Sequence, residues 1–242
     1  METTQDNPSV VPKTTDEQKD TSQSKDDGKN NKAENSDKKT EEKSEDKKVK
    51  STGKRVYIYD THQDESYKGG KTVLDAAAIL AQKLEDRGIK VVLETNDFIR
   101  YRDTHGLTYN ESYVVSYKYL NEALVNYGGF DMCLDLHRDS IPREASYINI
   151  DGKNYAKGMF VVGGLGKNAK TATKLSTTLT DTINAKKNGI MKGVMTREAY
   201  YNQEVAKNIV LMELGGDVNT FEEVSNSLDV IADGIHDVLT KE

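Results

Sequence analysis

Apolar residues are nearly absent from the start of the chain and then arrive in two alternating rhythms. From Arg55 onward, short β-branched runs at 56–59 (VYIY), 89–94 (IKVVLE), 132–136 (MCLDL), 159–163 (MFVVG) and 209–214 (IVLMEL) read as strands. Because these runs are close to continuously apolar, they predict a sheet covered on both faces. Between them, Val73, Ala76, Leu80 and Leu84 recur at helical spacing and stop at Gly88, a residue suited to the C′ position. Val114, Tyr117, Leu120 and Leu124 repeat the pattern ahead of Gly128 and Gly129; Leu175, Leu179 and Ile183 mark a third helix, and Leu228, Ile231, Ile235 and Val238 a fourth. This order predicts an α/β/α three-layer sandwich with a mainly parallel central sheet. In such folds ligands gather at the carboxyl ends of the strands.

Composition divides the chain at the same point. All 13 Tyr and all 4 Phe lie beyond Arg55, whereas residues 1–54 are Lys, Asp, Glu, Ser, Thr, Asn and Gln with scarcely a branched apolar side chain. Such a segment cannot bury enough surface to offset its chain entropy, so 1–54 is expected to be a disordered polar linker or stalk and 55–242 a single folded domain. The linker holds 12 Lys against 13 acidic residues, which excludes a nucleic-acid arm or a polybasic membrane anchor. The whole chain is acidic, at −6, which argues against nucleic acid as substrate. No apolar run is long enough to cross a bilayer and no signal-peptide core follows Met1, so an N-terminal membrane segment ahead of this sequence is expected to have been removed. The single Cys133 lies in an apolar run and is expected in the core.

Three polar clusters follow three of the predicted strands: Asp60 to Tyr67 after VYIY, Asp135 to Asp139 at the end of MCLDL, and Glu213 to Gly216 closing IVLM. Strands of one parallel sheet would bring these clusters to one edge. His62 and Glu65, three apart, can approach one ion, and His137 supplies a third ligand; two imidazoles and a carboxylate suit zinc and leave a position for water. Glu213 is the candidate acid/base. Each cluster also has a bland reading: His62 and Glu65 as a surface pair, Asp135 and Arg138 as a structural ion pair, the glycines as a turn. His105 is expected on an exposed loop and His236 on a solvated helix face. The string VVGGLGK lacks the Lys-Ser/Thr spacing of a phosphate loop.

The strings YIYDTHQDESY, CLDLHRDS, GKNYAKGMFVVG, YNQ and LMELGGDVNT together resemble the stage II sporulation protein P family, in order and over nearly the whole domain. The resemblance implies a zinc-dependent N-acetylmuramoyl-L-alanine amidase of sporulating bacteria, with a fold similar to zinc amidases and zinc carboxypeptidases. It implies His62, Glu65 and His137 as zinc ligands, Glu213 as catalytic acid/base, Arg138 as an aid to the oxyanion, and Asn202, Gln203, Asn219 and Thr220 along the substrate groove. The implied substrate is peptidoglycan, cut at the amide between N-acetylmuramic acid and the stem-peptide L-alanine, with cleavage of peptide cross-links as a further activity. It also implies a place at the outer face of the cytoplasmic membrane through an N-terminal anchor and, in engulfment, the lytic transglycosylase stage II sporulation protein D as partner. One departure is visible: related cell-wall amidases take their acidic ligand from a helix about fourteen residues after the first histidine, where this chain has only Asp75. Asp64 and Asp75 therefore stand as alternatives to Glu65. A zinc carboxypeptidase, with Arg138, Arg143 or Arg197 holding a terminal carboxylate, and a non-catalytic wall-binding module are the rival readings.

Overall fold

The structure, a computed structural model, describes residues 49–241, so the expectations for the segment before Val49 lie outside the described residues. Within the described residues, Thr52 is tied to the domain, its backbone N–H and hydroxyl both donating to the Gly88 carbonyl, at 2.9 and 3.0 Å.

Each apolar run forms a strand: β1 (Arg55–Tyr59), β2 (Lys90–Leu93), β3 (Met132–Asp139), β6 (Gly158–Gly163) and β8 (Ile209–Gly216). Other elements were not foreseen around them: α2 (Phe98–Thr104), the one-turn α4 (Arg143–Ser146), the hairpin of β4 (Tyr147–Ile150) and β5 (Lys153–Ala156), and the edge strand β7 (Met191–Arg197). The six-stranded sheet runs β2-β1-β3-β8-β6-β7. All neighbours are parallel except β6 and β8, which are antiparallel. The α/β sandwich with a mainly parallel sheet is therefore the observed architecture.

Strand alternation sorts side chains between two layers. Val56, Ile58, Leu134, Val210 and Met212 face one core, shared with α1 (Val73–Glu85), α5 (Ala169–Lys186) and α6 (Phe221–Thr240). Tyr57, Tyr59, Cys133 and Ile209 face the other, shared with α2 and α3 (Ser112–Tyr127). Burying each large side chain contributes about 1.5–3 kcal/mol, so the first and larger layer carries most of the stabilisation. In α3 the buried face is Val115, Leu120 and Ala123, while Val114 and Tyr117 are about half exposed. The expected stripe was therefore displaced by one position at its start. α3 bends its small polar Ser112 and Ser116 inward, and these break the apolar rhythm on which the reading relied.

The second face also sets the site. Along it, Tyr57, Cys133 and Ile209 give way toward the carboxyl ends to Asp135, His137 and Glu213. His137 and Glu213 are direct register partners across β3 and β8. Between His137 and Asp139 the register slips, so that Asp139 stands opposite Gly216. Gly215 there has φ +68, a conformation that suits glycine and lets β8 bulge just past Glu213.

Candidate metal centre

His62, Glu65 and His137 converge at the carboxyl edge, each offering a ligand atom within 4.8 Å of the others. His62 and Glu65 lie in the turn after β1, closed by the Glu65 N–H donating to the His62 carbonyl at 3.0 Å. His137 Nδ1 stands 3.4 Å and His62 Nδ1 3.5 Å from the Glu65 carboxylate. The two imidazoles meet edge to face, with centroids 5.1 Å apart. This is a largely buried cluster and not a surface pair. Of the three candidate acids, Asp64 turns away toward Arg102 at 3.6 Å, and Asp75 accepts from the Thr72 N–H at the start of α1 and pairs with Lys71.

Two buried carboxylates stand behind the centre. Asp135 accepts from the Thr61 N–H and hydroxyl at 2.9 and 2.6 Å, and its Oδ1 lies 3.1 Å from His137 Nε2, close but not aligned as a hydrogen bond. A carboxylate behind a ligating imidazole is what fixes ring orientation and ligand basicity in metal sites. Asp60 is fully buried with Oδ1 unpartnered; burial and then the Asp135 charge raise it well above the usual carboxylate range.

The electrostatics of the cluster favour a cation. Burial opposes ionisation of Glu65, yet its contacts with His137 and His62 and the 2.9 Å donation from the Arg138 N–H lower it to about 2. Burial would lower His137 too, but Asp135 and Glu65 outweigh it and raise the imidazole well above its ordinary value. A site whose carboxylates draw positive charge onto a buried ring, and whose donors are two imidazoles and one carboxylate, fits a zinc ion. His62 Nε2 is buried without a partner, and the ring is stacked on Tyr109 at 4.3 Å with Tyr113 at its edge.

Glu213 is different. Burial, set against the opposing pull of His137 and reinforced by Glu65, pushes it up to about 7, and its Oε2 is buried with no hydrogen-bond partner. It opens onto a cleft of about 460 Å³ between β6, β7 and the segment after β3.

A family model described as Stage II sporulation protein P (SpoIIP) matches residues 1–236. The chain belongs to this family. A curated relative, stage II sporulation protein P of Bacillus subtilis (strain 168), is 31% identical over 199 residues, which are 74% of this chain and 50% of that protein. The chain thus spans about half the length of the curated relative it matches. Among solved structures, N-acetylmuramoyl-L-alanine amidase AmiC2 of Nostoc punctiforme aligns with 79% of this chain and 99% of its own at 15% identity and a TM-score of 0.52. The CwlD amidase from Clostridioides difficile, solved in complex with the GerS lipoprotein, aligns with 76% and 94% at 16% identity and the same TM-score. At such identities the likeness is one of fold.

The remaining sequence expectations are redistributed. Arg138 donates Nε to the Ser66 carbonyl at 3.1 Å and its N–H to Glu65, so it fixes the loop that carries Glu65 and does not pair with Asp135. Asn202, Gln203 and Asn219 are buried and hydrogen-bonded inside the protein, not along a groove. Asn202 donates to the Tyr113 carbonyl and the Ser116 hydroxyl, and Asn219 bridges the Gly216 N–H and Glu223. Gln203 accepts from the Gly163 N–H and donates to the Val161 carbonyl, both at 2.9 Å. β6 leaves β8 after Val161, and the Gln203 amide continues the ladder where the neighbouring strand ends. Thr220 caps α6. His105 is exposed and stacked on Tyr101, and Cys133 is fully buried, its thiol pushed up to about 12 by burial. The aromatic cover of Tyr109 and Tyr113 had no sequence signal, since it comes from the 3-10 turn Tyr109–Glu111 and the first turn of α3 meeting the His62 ring.

Proposed function

We propose that this chain is a zinc-dependent peptidoglycan amidase that hydrolyses the bond between N-acetylmuramic acid and the L-alanine of the stem peptide. The observation that carries the reading is the placing of an unpartnered, raised-pKa Glu213 directly across the ladder from His137 of the His62, Glu65 and His137 cluster. His62, Glu65 and His137 would hold the ion, which when bound supplies a polarised carbonyl and an acidified water.

The chain's own groups account for the rest. Asp135, 3.1 Å behind His137 Nε2, is the carboxylate that would orient the ring, and the Arg138 backbone N–H holds Glu65. Glu213 Oε2 takes the proton from the attacking water and returns it to the amide nitrogen as the C–N bond breaks. The products are a lactyl carboxylate and a free alanine amine. A carboxyl group near 7 suits both transfers at neutral pH. Tyr109 and Tyr113 cover His62 and limit water around it.

Cleavage of peptide cross-links, work at the outer face of the cytoplasmic membrane in engulfment, and cooperation with the lytic transglycosylase stage II sporulation protein D belong to the same proposal. They rest on family membership. Among the described residues no helix is long and apolar enough to cross a membrane. Digestion of purified muropeptides with mass analysis of the products tests the reading. Intact stem peptides with a new alanine amine are expected, and their loss in Glu213→Gln. Release of single C-terminal residues would instead favour a carboxypeptidase.

A further inference from the structure

The cleft beside Glu213 has a composition unlike the rest of the centre. Its floor is apolar, from Ile141, Met159, Val161 and Met195, and two cations, Lys192 and Arg197, stand on its far side. The cations are brought there by an irregularity in β7. Gly158 pairs with Met191 but Phe160 with Val194, so β7 carries one extra residue, at Gly193 with φ +130. A bulge changes the side-chain alternation, and Lys192 thereby shares a face with Met195 and Arg197. A regular strand would have turned it to the opposite face.

Lys192 is partly neutralised by Asp139 at 3.5 Å. Arg197 is exposed and has no ion pair among the described residues. The wall is completed by Tyr201, which holds φ +54 and is kept in place by its neighbours Asn202 and Gln203. Gly163 allows the close approach: a Cβ there would stand 2.5 Å from the Tyr200 carbonyl oxygen. The chain thus commits a bulge, the left-handed backbone of Tyr201 and Asn202 (φ +54 and +55) and a close backbone approach to shaping one surface.

We infer that this cleft is a subsite for the peptide portion of the substrate, in which Arg197, assisted by Lys192, binds a free carboxylate while the methionine-lined floor takes the peptide's apolar side chains. The inference rests on the amidase reading, in which the peptide leaves from the Glu213 side. Asp139 and Glu213 also line the cleft, and Asp139 already pairs with Lys192, so Arg197 is the cation left open to an acidic peptide, and its fork matches a carboxylate. Met159 and Met195 supply an adaptable floor. The subsite would make the enzyme distinguish stem peptides with free carboxyl groups from amidated ones.

The test is titration of the full chain with a synthetic stem peptide bearing free carboxylates and with its fully amidated form, alongside hydrolysis of the matching muropeptides. The wild type is expected to bind the free acid about fivefold to tenfold more tightly. Arg197→Gln is expected to remove that preference, and in turnover to raise KM for the free-acid muropeptide with little change in kcat. Lys90→Gln, on the opposite edge of the sheet, controls for overall charge and should retain the preference. Equal binding of both peptides by the wild type, or an undiminished preference in Arg197→Gln, would overturn the subsite. A chain that shows the preference but hydrolyses no muropeptide would refute the amidase reading and leave the subsite standing.

Discussion

Gln203 separates two accounts of the YYNQ segment. If it lined a substrate groove, its replacement would weaken binding and leave stability alone. Its side chain is 1% exposed and bridges Gly163 N–H and Val161 C=O, at the point where β6 has lost β8 as a neighbour. Gln203→Leu preserves bulk and removes both hydrogen bonds. Each backbone group left buried and unpaired costs about 1–3 kcal/mol, so the loss should total about 2–6 kcal/mol. That is a large part of the ~5–15 kcal/mol that stabilises an ordinary domain. With a urea slope of ~3 kcal/mol per M, the unfolding midpoint should fall by about 0.7–2 M. The chain has no Trp, so far-UV circular dichroism is the appropriate signal. Gln203→Glu refines the test. Its ionised form presents an acceptor to the Val161 carbonyl, whereas its protonated form can donate. Its pKa in the folded protein is therefore raised, and the stabilisation it offers is present below the unfolded value of about 4.3 and lost as pH rises through the folded one. Its deficit relative to wild type should grow between pH 4 and 7. An unchanged midpoint in Gln203→Leu, with KM raised, would refute the structural role and restore the residue to the substrate groove.

Three further outcomes follow from the same geometry. Asp135→Asn removes the charge behind His137 while leaving bulk, and should weaken zinc binding about 10- to 100-fold in a chelator competition; unchanged affinity would show that Asp135 does not orient the ring. Gly163→Ala sets a Cβ against the backbone oxygens of Tyr200 and Ala199, at 2.5 and 2.7 Å, and should lower stability by about 1–3 kcal/mol in the same urea titration. Glu223 is held below its ordinary value, since its hydrogen bonds from Arg143, Asn219 and Thr220 outweigh the effect of burial. Its contribution is therefore present above about pH 4.3 and lost as pH falls through the folded value. With Arg143 partly exposed, the pair is worth no more than about 1 kcal/mol, and the melting-temperature gap between wild type and Arg143→Gln should close in acid.

How much was legible in the sequence depended on whether the signal was local. Continuous apolar runs marked five strands because both faces of those strands are covered, and α1, α5 and α6 followed from stripes that meet one large core. β7 was missed because it is an edge strand of mixed polarity, interrupted by Gly193. The hairpin of β4 and β5 was missed because its half-polar strands pair only with each other. The meeting of His62, Glu65 and His137 could be anticipated from the strand ends that carry them. Tyr109 and Tyr113 could not, as no spacing announces that the 3-10 turn Tyr109–Glu111 and the first turn of α3 will lay their rings against His62. Asn202, Gln203 and Asn219 show the opposite error: amides in a loop look like ligand contacts until the backbone they satisfy is seen.

The central claim is that His62, Glu65 and His137 hold a zinc ion which Glu213 serves without binding. Zinc content per chain, measured after dialysis at neutral pH on wild type, His137→Ala and Glu213→Gln, tests it most directly. About one zinc per chain is expected in wild type and in Glu213→Gln, and almost none in His137→Ala. A wild type without zinc, or His137→Ala that keeps its full complement, would contradict the account.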